Sequence, residues 1–233
     1  MFKAYKYRIY PNKEQEELIQ KTFGCVRFVY NQCLAYKKDK YELEKLSMSK
    51  TDCNNYVNRV LKKEYEWLKE VDKCALDNAI INMDNAYQNF FKGHTGYPKF
   101  KNKKNNYKSY KTNCTYNTKP TIEVSFKNNR IKLPKLKWVK AKVHRELTGK
   151  IKSATISQVP SGKYYVSILV ETEHIPMKST GCAIGFDLGI KDLLITSDGE
   201  KKENPKHIKK YEDKLAKEQR KLSHKVKGSK NWG

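Results

Sequence analysis

The stretch GFDLGIKD at residues 185–192, continued by LLITSDG at residues 193–199, combines short apolar runs with an internal charge. Residues 182–186 have the pattern of a short strand, Gly189 allows the backbone to bend, and residues 193–196 return as a second strand. The stretch therefore predicts a β-hairpin that carries Asp187. A carboxylate at this point either shapes the turn or meets a cation, and Mg²⁺ prefers such hard oxygen ligands.

The charge of the chain predicts a polyanionic partner. Its 233 residues include 49 Lys and Arg against 25 Asp and Glu, so the net charge is +24. Nucleic acid is the usual polyanion for a protein this basic, and the 16 tyrosines add flat rings on which unpaired bases can stack. A compositional bias towards lysine accounts for part of the excess but not for the whole imbalance.

The six cysteines show no C-x-x-C pair, so no zinc site is expected within this chain. No stretch resembles a signal peptide or is long and apolar enough to cross a membrane. We therefore expect a cytoplasmic protein with reduced thiols and no membrane partner.

Helical patterns fill most of the first hundred residues. A capping box of Asn12 and Gln15 opens a helix over residues 13–44 with one apolar face, and Ser49 opens a second helix to about residue 65. Asp72 caps a third helix to about residue 92. Its apolar stripe predicts a core face and consists of Leu76, Ile80, Met83, Tyr87 and Phe91.

Residues 91–116 alternate lysines with aromatic rings, while Gly93, Gly96 and Pro98 argue against regular structure. Cations that follow phosphates beside rings that stack on bases are typical of a groove for a single strand. The alternative is a solvated linker, which would not need four aromatic rings. The candidate binding residues are Tyr97, Lys99, Phe100 and Lys101, and Tyr107 and Tyr110 are further candidate stacking rings.

From residue 121 the apolar pattern has a period of two. Five strands are predicted, at residues 121–126, 130–133, 138–143, 151–159 and 163–171. With residues 3–10 they make about six, enough for a small barrel similar to an oligonucleotide-binding fold. Residues 175–180 have the composition of a linker. A helix follows at residues 206–227, in which Ile208, Leu215 and Leu222 recur every seven residues.

Several sequence blocks together resemble one known family. They are KYRIYP (6–11), FGCVRFVYN (23–31), FF (90–91) with GYPKFK (96–101), KLPKL (132–136), SGKYYV (161–166), IGFDLGIKD (184–192) with SDG (197–199), and NPK (204–206). Their wording and order are similar to TnpB, the OrfB-type protein associated with insertion-sequence transposases and related to type V CRISPR nucleases. The GFDLGIKD stretch resembles the first acidic motif of RuvC nucleases, which have an RNase H-like fold.

The resemblance implies an α+β fold with three parts. Residues 1–12 and 119–175 would form the wedge-type β-barrel. Residues 13–118 would form a helical recognition lobe that ends in the basic aromatic loop 92–118. Residues 180–233 would begin a truncated RuvC-like domain, of which only the first hairpin and one helix are present.

The same resemblance implies metal-dependent cleavage of DNA in the complete enzyme. RuvC-type nucleases bind two Mg²⁺ ions through at least three acidic residues, and Asp187 matches the first of them. The second and third acidic residues and the family's zinc ribbon have no counterpart in this sequence. We therefore expect this chain to be an N-terminal portion that does not cut DNA alone.

Binding of nucleic acid does not require the missing acids. The expected partners are a guide RNA, a double-stranded target DNA with a short adjacent motif, and possible transposon-encoded proteins, with the protein associated with the nucleoid when bound. Lys3, Lys73 and Thr115 match positions that contact the motif, although Asp52 and Asp77 depart from the family pattern and an ordinary solvated lysine remains the alternative for Lys3 and Lys73. A nuclease-dead repressor and a general RNA-binding protein are the alternative functions. A helix-turn-helix regulator is less favoured, because the first helix lacks a tight turn.

Overall fold

The computed structural model describes residues 1–104, 107–116, 119–173, 180–229 and 232. The chain divides into two units, Met1–His174 and Ile175–Gly233. Both units combine helix with antiparallel sheet, which confirms the predicted mixed α+β class. The predicted linker at residues 175–180 lies outside the described residues, apart from Thr180.

Seven strands of the first unit form one antiparallel sheet. They are β1 (Phe2–Tyr10), β2 (Lys108–Asn113), β3 (Glu123–Ser125), β4 (Arg130–Leu133), β5 (Lys137–Lys142), β6 (Lys150–Gln158) and β7 (Tyr164–Glu171). Their order is β2-β6-β7-β1-β5-β4-β3, so β1 lies inside the sheet between β7 and β5. Closure of this sheet into a barrel stays a prediction.

Side chains along β1 alternate between the core and the solvent. Tyr5, Tyr7 and Ile9 are buried, whereas Lys6 between them is exposed. Tyr7 lies opposite Val166 of β7, and both side chains are buried. This alternation follows from the two-residue period of a strand, and it places the core on one face of the sheet.

The longest helix, α1 (Lys13–Glu44), begins at the predicted capping box. The Asn12 side chain accepts a hydrogen bond from the Gln15 backbone N–H at 2.8 Å, and the Gln15 side chain accepts one from the Asn12 N–H at 3.1 Å. Gln15 also donates to the backbone carbonyls of Leu136 and Trp138 at 3.0 and 3.1 Å, which fixes the start of α1 against the sheet. The predicted apolar face is buried, as its members Ile19, Phe23, Val26, Tyr30 and Leu34 show.

The predicted second helix is confirmed at its start and interrupted further on. Ser49 caps α2 (Lys50–Tyr56), but a π-helical turn, Val57–Leu61, separates it from the short α3 (Lys62–Glu64). The buried side chains of this region recur every four residues, at Cys53, Val57 and Leu61. Because an α-helix has only 3.6 residues per turn, a wider turn keeps all three on the core face. A 3-10 turn, Glu66–Lys69, leads to the next helix.

Helix α4 (Lys73–Phe91) packs against α1. Its cap is Asp72, whose side chain accepts a hydrogen bond from the Cys74 N–H at 3.2 Å. Leu76, Ile80, Met83 and Tyr87 are buried as predicted. Phe91, predicted as the last member of the core stripe, is 76% exposed, because it is the last residue of α4 and lines an open cavity instead of the core.

The prediction that residues 92–118 lack regular structure is only partly right, because this stretch contains β2. This strand pairs with β6 over six residues, from Lys108 opposite Gln158 to Asn113 opposite Ser153. Tyr110 on β2 is buried, with its ring 5.6 Å from that of Phe23. The prediction that Tyr110 offers a ring for base stacking is therefore wrong. The sequence prediction failed because Tyr110 is buried by the pairing of β2 with β6, which lies 40 or more residues further along the chain.

The second unit has a three-stranded sheet of β8 (Phe186–Asp187), β9 (Asp192–Thr196) and β10 (Lys201–Glu203), followed by α5 (His207–Ser223). The predicted hairpin is confirmed in the antiparallel pairing of β8 and β9, but its first strand covers Phe186–Asp187 and not the predicted residues 182–186. The strand β10 was not predicted, and α5 ends four residues earlier than predicted. The heptad residues Ile208, Leu215 and Leu222 are all exposed. None of the helices in the described ranges is apolar and long enough to cross a membrane.

Candidate nucleic-acid interface

A basic groove lies between α1 and the segment that precedes and opens β2. Its cavity measures about 550 Å³. It is lined by Phe23, Val26, Arg27, Phe100, Lys101, Asn102, Lys103, Tyr107, Lys108 and Ser109. Four of these side chains are cationic and none of the lining residues is acidic, so the groove attracts a polyanion.

The end of α4 directs the chain back along α1 to form this groove. Gly93, with φ of 73°, donates its N–H to the Phe90 carbonyl at 2.9 Å, and His94 donates to the Asn89 carbonyl at 2.9 Å. This hydrogen-bond pair is a Schellman motif, which ends a helix at a residue in the left-handed conformation. Glycine adopts that conformation without a steric cost, so Gly93 explains where the helix stops.

Asn31 of α1 holds the middle of the segment in place. Its side-chain carbonyl accepts a hydrogen bond from the Lys101 N–H at 2.8 Å, and its amide donates to the Lys101 carbonyl at 3.1 Å. Both backbone polar groups of Lys101 are therefore satisfied by one side chain. The position of the segment relative to α1 does not depend on the lysine side chain itself.

The Lys101 ammonium lies 4.2 Å from the centre of the Tyr30 ring. Desolvation by the surrounding protein lowers the pKa of Lys101 below its ordinary value, although the residue as a whole is exposed. Among the described residues the Tyr30 ring is the contact recorded for this ammonium. A cation that is partly stripped of water interacts strongly with an anion that approaches it. The geometry thus prepares Lys101 to contact a phosphate.

The other cations of the groove have different surroundings. Lys108 donates to the Gln20 side-chain carbonyl at 3.2 Å, a neutral partner that leaves its charge uncompensated. Arg27 is half-buried, and Lys103 is exposed. Phe100 and Tyr107 are 57% and 54% exposed, so two rings lie beside the cations. The groove therefore offers both phosphate-binding and base-stacking groups.

The structure brings only some of the predicted binding residues together. Phe100 and Lys101 line the basic groove, and the exposed Lys99 precedes them without lining it. Tyr97 belongs instead to an aromatic cluster, because its hydroxyl makes a 2.8 Å hydrogen bond with that of Tyr87. Sequence reasoning missed Arg27 and Asn31. The sequence feature that could have identified these two residues is their spacing of four, which places both on one edge of the apolar stripe of α1.

Lys3, Lys73 and Thr115 do not line the basic groove. Lys3 is exposed on β1, with its ammonium 5.3 Å from the Tyr5 ring centre. Thr115 is exposed after β2, where its N–H donates to the Thr121 hydroxyl at 3.0 Å. Lys73 is the exposed first residue of α4. Their predicted contact with a target motif stays a prediction.

Asp77 on α4 has an unsatisfied carboxylate. One of its oxygens is buried without a hydrogen-bond partner among the described residues. Desolvation raises the pKa of Asp77, and the attraction of Lys73 and Lys62 only partly opposes this shift. A raised pKa means that the ionised carboxylate is less favourable in the folded chain than in the unfolded one. This free-energy cost is absent at pH values below the ordinary carboxyl pKa, and it reaches its full size at pH values above the pKa of Asp77 in the folded chain.

We expect Asp77→Asn to raise the melting temperature at pH 7 by about 3 °C, because it removes a buried charge that costs about 1 kcal/mol. Near pH 3 the difference should vanish, since the carboxyl is then protonated in both states. Thermal unfolding at both pH values measures the effect. Asp84→Asn is the control, because Asp84 accepts a hydrogen bond from Gln88 at 2.9 Å and its replacement should not stabilise. A lower melting temperature for Asp77→Asn at pH 7 would contradict the assignment.

Asp187 lies on β8, opposite Ile195 of β9, and is exposed. No group of three or more His, Cys, Asp or Glu side chains in the described ranges is arranged to hold a metal ion. Asp192 and Asp198, the nearest acids in sequence, therefore do not complete a site with it. A lone exposed carboxylate does not fit the two-metal site of a RuvC-type nuclease.

Comparison with known proteins gives matches at both ends of the chain. A family model described as "Helix-turn-helix domain" (HTH_OrfB_IS605) matches residues 1–45, and one described as "Probable transposase" (OrfB_IS605) matches residues 167–233. In the structure residues 1–45 contain β1 and the single uninterrupted helix α1, rather than two helices joined by a turn.

Two curated relatives match nearly the whole chain. "Putative RNA-guided DNA endonuclease InsQ" of Escherichia coli K12 and a "Putative RNA-guided DNA endonuclease" of Streptomyces pristinaespiralis are each 32% identical over 98% of this chain and 56% of their own length. This chain thus spans about half the length of these relatives. A solved structure, "Cryo-EM structure of the Cas12f1-sgRNA-target DNA complex", aligns with 97% of this chain and 62% of its own at 12% identity and a TM-score of 0.40.

Proposed function

We propose, since this chain belongs to the TnpB/OrfB family of IS605-type transposase-associated proteins, that it is the nucleic-acid-binding part of an RNA-guided DNA endonuclease. The observation that carries the proposal is the basic groove, with four cations and two exposed rings and no acid among its lining residues. In such a protein, base pairing by the guide RNA supplies sequence specificity, and the protein binds mainly phosphates and ribose.

The groove is suited to a single strand rather than to a duplex. Phe100 and Tyr107 can stack only on bases whose faces are free, and the cations Arg27, Lys101, Lys103 and Lys108 lie beside them. An unpaired segment of a guide RNA meets both requirements. Because phosphates and aromatic faces occur in every sequence, this part of the interface would bind without base preference.

The finer organisation is also part of the proposal. The sheet of β1 and β3–β7 would act as the wedge-type barrel, and the helices α1–α4 as the recognition lobe. Lys3, Lys73 and Thr115 would contact the short motif beside the target, and Lys99 would contact the strand near the groove. The exposure of all four side chains is compatible with these roles.

Asp187 would supply the first carboxylate of the Mg²⁺ site of the complete nuclease, with the hairpin of β8 and β9 as the start of its RNase H-like sheet. The metal would activate water and stabilise the leaving oxygen of the cleaved phosphodiester. The described residues contain no cluster of acidic side chains that could hold it, so we expect these 233 residues to bind nucleic acid without cutting it.

The purified chain, incubated with Mg²⁺, a guide RNA and a target plasmid, should bind RNA and leave the plasmid uncut. Asp187→Ala should bind RNA as tightly as the original chain, because Asp187 lies outside the basic groove. Filter binding and gel analysis of the plasmid measure the two results. Asp198→Ala is the matched control on the same hairpin. Linear plasmid produced by the original chain and lost in Asp187→Ala would show that this chain assembles a working site.

A further inference from the structure

A second cavity of about 650 Å³ lies where α1 and α4 end. We call it the aromatic pocket and define its rings as Tyr41, Tyr87, Phe90, Phe91 and Tyr97. Its volume is in the range of sites that bind small ligands, roughly 300–1,000 Å³. Nothing in the role of the basic groove requires these rings, so the pocket needs an explanation of its own.

Three of the rings form a fixed wall. Tyr97 lies edge-on to Phe90 at 5.4 Å and 80°, and edge-on to Tyr87 at 5.6 Å and 87°. The hydrogen bond between the hydroxyls of Tyr97 and Tyr87 locks this arrangement. Burial, with a smaller contribution from that hydrogen bond, raises the pKa of Tyr87, so its phenol stays neutral. The wall is thus rigid and uncharged.

The remaining two rings are more exposed than the three rings of the wall. Phe91 is 76% exposed and Tyr41 is 58% exposed. Each leaves apolar area in water at a cost of about 25 cal/mol per Å². Exposed rings beside a preformed cavity commonly mark a binding site, because a ligand that covers them recovers this cost.

Lysines surround the pocket. Lys45, in the left-handed conformation with φ of 55°, ends α1 and holds its ammonium 5.6 Å from the Tyr41 ring centre. Lys37 lies 4.7 Å from the Tyr87 ring centre. Lys38 is 3.6 Å from Glu42, which is the sole acid among the residues that line the pocket. The rim therefore carries a net positive charge beside an apolar interior.

We propose that the aromatic pocket binds the base of one unpaired nucleotide, with its phosphate at Lys38 and Lys45. A flat apolar base complements the rings, and the phosphate complements the lysines on the rim. Lys38 is paired with Glu42, and Lys37 lies 4.0 Å from Asp84. An aromatic peptide side chain would satisfy the rings but would leave Lys45, which makes no ion pair with the described residues, without an anion. Charge complementarity therefore favours a nucleotide over a protein ligand.

The inference rests on the proposed function in one respect, because the nucleotide belongs to the strand that is bound in the basic groove. Both sites lie along α1, and at 1.5 Å per residue Arg27 and Lys38 are about 16 Å apart along its axis. The segment from Tyr97 to Lys103 connects the two cavities directly. A few nucleotides of an extended strand would reach from one to the other.

Photochemical crosslinking tests the pocket. Short RNA and DNA strands that carry 5-iodouracil at single positions are bound to the full chain, irradiated and mapped by mass spectrometry. We expect crosslinks to Tyr41, Phe91 or Tyr97 from one position and to Phe100 or Tyr107 from a position a few nucleotides away. The RNA and DNA strands reveal which of them supplies the nucleotide.

Affinity measurements give an independent result. Tyr41→Ala and Phe91→Ala should each lower the affinity for the strand about 10-fold, as loss of one stacked base predicts. Leu43→Ala is the matched control, because Leu43 is 82% exposed on α1 and does not line the pocket. All three positions are exposed, so the fold should persist, and thermal unfolding checks this.

Three results would overturn the inference. Crosslinks confined to Phe100 and Tyr107, with Tyr41→Ala and Phe91→Ala equal to Leu43→Ala, would reject the pocket and leave the proposed function intact. Self-association of the chain that Phe91→Ala abolishes would assign the pocket to a second copy. Failure of the original chain to bind either strand would reject both the pocket and the proposed function.

Discussion

The variant Arg27→Gln, Lys101→Gln, Lys103→Gln should bind single-stranded RNA about 100-fold more weakly than the original chain. Each contact between a cation and a phosphate contributes about 1 kcal/mol, and about 3 kcal/mol corresponds to roughly two powers of ten in affinity. The hydrogen bonds between the Asn31 side chain and the Lys101 main chain do not involve the replaced side chains, so the groove should keep its shape.

Salt dependence distinguishes loss of phosphate contacts from loss of structure. The logarithm of affinity should fall linearly with the logarithm of salt concentration, and the slope should be smaller in the variant by about 2 for three lost contacts. The control Lys13→Gln, Lys50→Gln, Lys63→Gln loses the same net charge from exposed residues outside both cavities. An equal loss of affinity in the control would show that total charge, rather than the groove, determines binding.

Tyr110→Ala should lower the stability of the first unit by about 3–5 kcal/mol, which corresponds to about 10 °C in melting temperature. Its ring is buried and lies edge-on to Phe23 at 5.6 Å, so truncation leaves a cavity between α1 and β2. Thermal or denaturant unfolding measures this change.

Tyr107→Ala is the matched control for Tyr110→Ala, because Tyr107 is 54% exposed on the same segment. It should leave the melting temperature nearly unchanged and weaken binding of RNA, since its ring lines the basic groove. The two tyrosines are three residues apart, yet we expect replacement of Tyr110 to lower stability and replacement of Tyr107 to weaken RNA binding. Equal losses of stability would contradict the assignment of one to the core and the other to the interface.

Local signals explain where sequence prediction was right. The Asn12 and Gln15 capping box, the apolar stripe of α1 and the hairpin of β8 and β9 each depend on residues a few positions apart. The free energy of such features depends mostly on contacts within the segment, so the local sequence pattern predicts them directly. The same holds for the excess of positive charge, which any fold of this chain must place on its surface.

Pairing between distant segments explains where prediction failed. Strand β2 exists because β6 lies beside it, and this contact buries Tyr110, which the sequence presented as one more ring in a basic stretch. In the same way, Asn31 binds Lys101, 70 residues further on, and so creates a groove that neither segment predicts alone.

The sequence by itself determined the mixed helix and strand content, the basic character and the hairpin that carries Asp187, because caps, periodicity and charge are properties of neighbouring residues. Only the tertiary structure decided which rings and lysines share a surface. Tyr97 and Lys101 are four residues apart, yet one closes an aromatic pocket and the other lies in the basic groove. The reason is that the end of α4 and the side of α1, rather than the segment itself, set the direction of each side chain.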